Sequence, residues 1–231
     1  MKIRHIFFDL DNTLWDHRKN AYLTLQELFS KEKVQEIYGL DFEEFHAEYF
    51  TINENLWAQI RDGEIDKDYL RKHRFYDSFL FFGIDDFALA QRFEYQFLDE
   101  IVKYNELVPG TIEVLSYLKN KGFSLHIVSN GFQEVTHRKV EMSQIGEYFQ
   151  TITSADEINI RKPNAAIYSY ALSKAKANAE ESVMIGDDWI ADVEGAKAFG
   201  LEAVFFDVFK DKYSAKGVHT ITDLLELKSL Y

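Results

Sequence analysis

Four short polar clusters carry the residues most able to do chemistry: Asp9-Leu10-Asp11-Asn12-Thr13, Ser129-Asn130-Gly131, Lys162-Pro163, and Gly186-Asp187-Asp188 with Asp192 shortly after. Carboxylates gathered in one place raise each other's pKa unless a cation sits among them. Oxygen donors and a phosphate group favour magnesium over softer metals. A carboxylate can also attack phosphorus itself, forming an acyl phosphate that water then hydrolyses. A second carboxylate two residues on, as Asp11 follows Asp9, can protonate a leaving alcohol and then activate that water. Ser129, the backbone amides after it and Lys162 can hold phosphoryl oxygens as charge redistributes. Singly, each cluster is ordinary. An Asp at a strand end is usually a turn former or helix cap, Ser-Asn-Gly is a common turn, and Lys-Pro can simply precede a helix. Their order, spacing and shared position at strand ends make the set informative.

The elements that must position these clusters are legible as hydrophobic runs. Ile3 to Phe8, Ser124 to Val128 and Val183 to Ile185 are short and continuously apolar, as expected of strands covered on both faces. Ala203 to Phe206 and Val218 to Ile221 are further strand candidates, and helical patterns occupy Thr111 to Lys121, Asn164 to Ala177, Ala191 to Phe199 and Thr222 to Leu227. This alternation predicts an α/β fold with a doubly wound parallel sheet, in which ligands sit beyond the carboxyl ends of the strands. From about Trp15 to Asn105 the chain has helical periodicity, many aromatics and no convincing run of strands, and Val108-Pro109-Gly110 then punctuates it. The expected organisation is an α/β core from residues 1–14 and 106–231, with residues 15–105 inserted as an α-helical domain.

The 231 residues, 46% of them hydrophobic, can bury a sizeable core. Cysteine is absent, which excludes disulfides, thiolate metal sites and a cysteine nucleophile. The N-terminal apolar run is too short for a signal peptide, and no segment approaches the ~20 apolar residues of a membrane span. The expected location is the cytoplasm. A net charge of −13 argues against a nucleic-acid polymer or an anionic membrane as partner. It does not argue against a small anion, because one metal ion and a lysine reverse the potential locally. The histidines are too scattered to predict a histidine metal cluster, and no segment specifies an oligomeric state.

The four clusters resemble the motifs of the haloacid dehalogenase (HAD) superfamily: Asp-x-Asp-x-Thr at Asp9 to Thr13, a strand-end hydroxyl at Ser129, a lysine at Lys162, and the acidic motif Gly186 to Asp192. The resemblance implies a Rossmann-like core with a helical cap inserted directly after the first motif. It implies Asp9 as nucleophile and Mg2+ ligand, and Asp11 as general acid/base that gives the metal a backbone carbonyl. Asp187 would be the third protein ligand and Asp192 a carboxylate orienting the metal site. Asp188 would either touch a metal-bound water or face solvent. Ser129, Asn130 and Lys162 would hold the phosphate. Dehalogenases of this superfamily typically lack an acid at the position of Asp11, so its presence favours phosphatases and phosphomutases.

Asn53-Glu54-Asn55-Leu56-Trp57 with Asp62-Gly63-Glu64-Ile65, and Asn130-Gly131-Phe132, further resemble bacterial pyrimidine 5′-nucleotidases acting on noncanonical nucleoside monophosphates. The implied function is a Mg2+-dependent phosphomonoesterase working through an aspartyl phosphate on a nucleoside 5′-monophosphate. Phosphoglycolate, sugar phosphates and flavin mononucleotide (FMN) are alternative substrates. A phosphomutase, a dehalogenase and a silent binding protein are alternative activities. Among the insert's many aromatics, most are expected to be its core. Trp57 is the one singled out to meet a substrate base, and Arg61 and Arg71 are candidates for a substrate anion.

Overall fold

The computed structural model describes residues 3–231. Met1 and Lys2, which open the expected core segment 1–14, lie outside the described residues. The chain divides into two compact units, one formed by the residues up to His17 with Asn105–Tyr231, the other by Arg18–Tyr104. Trp15, Asp16 and His17 thus cluster with the sheet.

The chain enters through β1 (His5–Phe8) and then builds the smaller unit from α1 (His17–Lys31), α2 (Val34–Tyr38), α3 (Phe42–Asp62), α4 (Lys67–Phe81) and α5 (Phe87–Glu100). Three aspartates start its long helices. The Asp41 carboxylate accepts from the amides of Glu43 and Glu44, Asp66 from that of Tyr69, and Asp86 from that of Leu89. The inward helix faces bury Phe45, Tyr49, Phe75, Phe79, Phe93 and Phe97, an aromatic cluster with Phe45 stacked on Phe79 at 4.8 Å and Tyr49 on Phe75 at 4.9 Å. A charged pair, Arg74 and Glu94, is buried with them. Arg74 donates through Nε to Glu94 Oε2 at 2.6 Å, and Arg71 donates to Glu94 Oε1 at 3.0 Å. Arg61 donates to its neighbour Asp62 at 2.9 Å. Both arginines singled out for a substrate anion therefore already hold carboxylates.

The larger unit continues with α6 (Thr111–Asn120), β2 (Ser124–Ser129), α7 (Gln133–Met142), β3 (Phe149–Ser154), α8 (Ala165–Ala175), β4 (Ser182–Gly186), α9 (Gly195–Phe199), β5 (Glu202–Phe206), β6 (His219–Ile221) and α10 (Leu227–Leu230). The six strands form one parallel sheet in the order β3-β2-β1-β4-β5-β6. β1, β2 and β4 are buried along nearly their whole length, as continuous apolar runs require. On one face Phe7, Val128, Met184 and Phe205 pack under Ile167, Tyr168, Ala171 and Leu172 of α8. Among the described residues no helix is long and apolar enough to cross a membrane.

Three local features depart from the sequence expectation. β3 lies at the sheet edge and has only Phe149 and Ile152 as apolar residues, so it offers no continuous run. α7 is short and polar, with only Val135, Thr136, Lys139 and Val140 buried. The helix expected over Ala191 to Phe199 begins earlier, as a wide π-type turn at Trp189–Glu194 before α9. His5 and His126, far apart in sequence, meet on adjacent strands with Nδ1 and Nε2 3.1 Å apart, and burial pushes His126 down to about 4. This neutral pair is packed within the sheet.

Candidate active site

Strand order creates the site. The chain runs from β1 outward to β2 and β3, then returns to the other side of β1 for β4, β5 and β6. The connections after β1 and β4 therefore diverge and open a crevice beyond their carboxyl ends. Phe8 is in register with Ile127 of β2 and Ile185 of β4. Asp9 continues that ladder, its amide donating to the Ile185 carbonyl at 2.8 Å. Asp9, Ser129 and Asp187 consequently emerge side by side.

Lys162 is the hub of the buried charges. It is 1% exposed, and its Nζ donates to Asp9 Oδ1 and Asp192 Oδ1, each at 2.6 Å. Its main chain is pinned by Asn130: the Lys162 amide donates to Asn130 Oδ1 at 2.8 Å, and Asn130 Nδ2 donates to the Lys162 carbonyl at 3.0 Å. The Asn130 side chain is thus spent on placing the lysine. The Lys162–Pro163 peptide is cis. Asp192 approaches so closely that a Cβ on Gly186 would lie 2.1 Å from its Oδ2, so only glycine fits there. Asp187 accepts from Thr13 Oγ1 at 2.8 Å, which ties the acidic loop to the first cluster.

The remaining expected residues are placed differently. Asp188 is exposed, and its Oδ1 accepts from the amides of Ile190 and Ala191, each at 2.9 Å, capping the π-type turn. Asp11 turns its carboxylate to Lys139, whose Nζ donates to Oδ1 at 2.5 Å, with His17 Nδ1 3.8 Å from the same oxygen. The Ser129 hydroxyl accepts from the Gly131 amide at 3.0 Å. A Cβ on Gly131 would lie 3.1 Å from Ser129 Oγ and 3.5 Å from Asp11 Oδ2, so these two oxygens border the same small space. Trp57 lies half-buried on α3 of the smaller unit. Lys139 is the contributor that motif reading passes over, while Thr13, part of the first motif, is given no role there. The available signal for Lys139 is its phase, because it shares the buried face of α7 with Val135, Thr136 and Val140.

Electrostatics follow from this packing. Burial pushes Asp9 up to about 7, opposed by Lys162 and reinforced by Asp192 and Asp11. Asp187 is raised well above the usual carboxylate range by burial, then by Asp9 and Asp192. Burial also raises Asp192, against the pull of Lys162. Asp11 goes the other way: burial would raise it, but Lys139 and then His17 hold it below the ordinary value. For Lys162 burial acts against the charge, and Asp192 and Asp9 overcome it to keep the amine protonated.

Asp9, Asp187 and Asp192 offer carboxylate oxygens within 4.8 Å of one another, the group of acids among the described residues arranged to hold a metal ion. A single lysine cannot neutralise three such acids. The excess of anionic oxygen donors fits a hard divalent cation. The carboxylate completing this trio is that of Asp192, since the Asp11 carboxylate is engaged with Lys139.

Comparison with known proteins agrees with this picture. The family model for haloacid dehalogenase-like hydrolases matches residues 3–200. The HAD-hydrolase YfnB of Bacillus subtilis is 26% identical over 208 residues, covering 89% of this chain and 85% of its own. The crystal structure of YfnB, bound to magnesium and revealing interdomain movement in that protein, matches with a TM-score of 0.88 at 24% identity, covering 100% of this chain and 99% of that chain. Pyrimidine 5′-nucleotidase YjjG of Escherichia coli is 26% identical over 235 residues, covering 100% of this chain and 98% of its own. Glyceraldehyde 3-phosphate phosphatase of Pyrococcus furiosus is 26% identical over 238 residues, covering 98% and 92% respectively.

Proposed function

The chain belongs to the haloacid dehalogenase-like hydrolases, and from that premise we propose that it is a Mg2+-dependent phosphomonoesterase working through a phosphoryl group on Asp9. The observation that carries this reading is the buried Lys162 held between Asp9 and Asp192 beside Asp187. Lys162 grips one oxygen of Asp9, orients the carboxylate and offsets its charge, which lets the other oxygen approach an anionic phosphorus. Asp9, Asp187 and the backbone carbonyl of Asp11 would hold the magnesium ion, with Asp192 orienting the set. Bound there, the ion supplies positive charge that draws in and neutralises phosphoryl oxygens. Ser129, the amides after it, including that of Asn130, and Lys162 take the remaining oxygens.

An Asp9 oxygen forms a bond to phosphorus as the bond to the ester oxygen breaks. Asp11, whose charged form Lys139 and His17 favour in the ligand-free chain, takes up a proton alongside the anionic ester and gives it to that oxygen, releasing an alcohol. The resulting Asp11 carboxylate takes a proton from water, whose oxygen attacks phosphorus and releases inorganic phosphate, restoring Asp9. The acid at position 11 is the residue that separates this chemistry from dehalogenation.

The unit Arg18–Tyr104 serves in this reading as a cap that excludes water during the first step, and Trp57 carries the contact with the organic part of the ester. Similarity to the nucleotidase YjjG supports a nucleoside 5′-monophosphate as substrate. Similarity to the Pyrococcus furiosus phosphatase supports a three-carbon sugar phosphate as the second reading. Phosphate release from a panel of pyrimidine and purine monophosphates, FMN, phosphoglycolate and sugar phosphates discriminates them, and equal rates on all would remove the nucleotide assignment. Asp9→Asn is expected to abolish turnover while leaving the circular dichroism spectrum and melting profile folded. Chelation is expected to stop the wild type until magnesium is restored. Full activity in purified Asp9→Asn protein would overturn the aspartyl nucleophile.

A further inference from the structure

Lys139 is 4% exposed, and nothing in the proposed cycle uses it. Burying an ammonium group is costly unless it is paired, so a lysine on the inner face of α7 needs a reason that a leucine would not supply. Its Nζ lies 2.5 Å from Asp11 Oδ1 and 4.4 Å from the centroid of the Trp15 ring. Trp15 is itself fully buried, and its indole donates to Asn105 Oδ1 at 3.4 Å. The ring therefore forms a fixed wall on which the cation rests. The backbone around Asp11 folds tightly: the amides of Leu14 and Trp15 donate to the Leu10 carbonyl at 3.0 and 2.9 Å, and Asn12 takes a left-handed φ of 60°. This turn brings Trp15 and Asp11 to the same ammonium group.

α7 begins immediately after the Ser129 to Phe132 loop, so the lysine sits on the helix that continues this loop. Lys139 thereby ties the position of Asp11 to that of the phosphate-binding loop. With Oδ1 held, Oδ2 is the Asp11 oxygen that borders the space beside Ser129 Oγ and Gly131. We propose that Lys139 is a positioning residue for Asp11, gripping Oδ1 and presenting Oδ2 to the oxygen that leaves phosphorus. This inference rests on the reading of Asp11 as general acid. It assigns Lys139 no contact with the substrate.

Leaving-group dependence tests it, because an alkoxide needs a proton as it departs and a nitrophenolate does not. The readout is kcat/KM, which covers only the steps up to phosphoryl transfer. It is measured in magnesium for p-nitrophenyl phosphate and for the alkyl phosphomonoester that the wild type hydrolyses best. Lys139→Met is expected to lower the alkyl value about 10- to 100-fold, as a misplaced acid does, and the aryl value less than about threefold. Lys139→Arg, which keeps the charge and a donor, is expected to recover most of the alkyl rate. The alkyl-to-aryl ratio is taken within one preparation, so partial unfolding of the Met variant does not affect it. An unchanged ratio in Lys139→Met, while Asp11→Asn shifts it, would overturn the positioning role and leave the phosphatase reading intact. An unchanged ratio in Asp11→Asn as well would mean that Asp11 is not the acid, and both fall together.

Discussion

At the scale of single residues, the arrangement turns on two buried lysines, each matched to a different aspartate of the same motif. Lys162 holds Asp9 and Asp192 at 2.6 Å each, and Lys139 holds Asp11. The two environments push their aspartates in opposite directions, Asp9 up to about 7 and Asp11 below its ordinary value. In the metal-free chain this order is the reverse of the proposed roles: a cation beside Asp9 and Asp187 would bring Asp9 down, and the charge of a bound phosphate ester would raise Asp11. Breaking a buried ion pair by removing one partner leaves the other charge uncompensated. Lys162→Met is therefore expected to destabilise the fold by about 3–5 kcal/mol in urea titration. Asp192→Asn combined with Lys162→Met should cost clearly less than the two single changes added together, since the double variant removes both members of the pair. Strict additivity would show that Lys162 and Asp192 are not energetically coupled.

At the scale of elements, the carboxyl end of β4 and the turn after it form the most demanding construction. β4 ends at Gly186, and the π-type turn Trp189–Glu194, capped by Asp188, carries Asp192 back against that glycine. A methyl group on Gly186 would meet the Asp192 carboxylate at 2.1 Å, with its Cγ at 2.3 Å, so the carboxylate must leave its place to admit the substitution. Gly186→Ala is expected to cost about 1–3 kcal/mol of stability, the usual cost of overpacking. It should also weaken magnesium binding in calorimetry, because Asp192 can no longer stand beside Asp9 and Asp187. Wild-type magnesium affinity in Gly186→Ala would show that Asp192 has no part in shaping the cation site. The sheet element most exposed to error from sequence is β3, where edge position removes the need for a continuous apolar run. Patterning identifies central strands well and edge strands poorly for that reason.

At the scale of the whole molecule, the acid cluster makes stability depend on pH and on a cation. Between about pH 4 and about pH 7 the folded chain retains a proton on Asp9 that the unfolded chain has released, and Asp187, raised well above the usual carboxylate range, acts in the same direction. The metal-free fold should therefore lose the contribution of these groups as pH rises through that window. In the proposed reading magnesium would bind the deprotonated carboxylates and stabilise by mass action, so its effect would grow as they ionise. Melting temperatures with and without saturating magnesium are expected to differ least near pH 5 and most near pH 8. A difference that is constant across the series, or largest at pH 5, would contradict a cation held by these acids. His126, pushed down to about 4 by burial, gives a background of opposite sign below pH 6.5. That background is common to both melting series and cancels in the difference.

The sequence by itself determined a parallel α/β sheet with acids and a hydroxyl after its strands, including an acid at position 11 that the family resemblance reads as favouring phosphate chemistry over dehalogenation. These features are local. Strand-forming apolar runs and the residue types that follow them are written contiguously, so Asp9, Ser129 and Asp187 can be recognised without knowing what they face. Only the tertiary structure decided the pairings. Lys162 reaches Asp9 across 153 positions of chain, and Lys139 reaches Asp11 across 128. Which charges meet depends on strand order, on the phase of α7 and on the tight turn after β1, and none of these leaves a contiguous mark. The same holds for Asn130 and Asp188, polar residues beside the motifs whose side chains are committed to the Lys162 backbone and to a helix cap. Lys139, on the buried face of a short polar helix, is not read from the sequence at all, and its meaning comes from the carboxylate and the tryptophan ring packed against it.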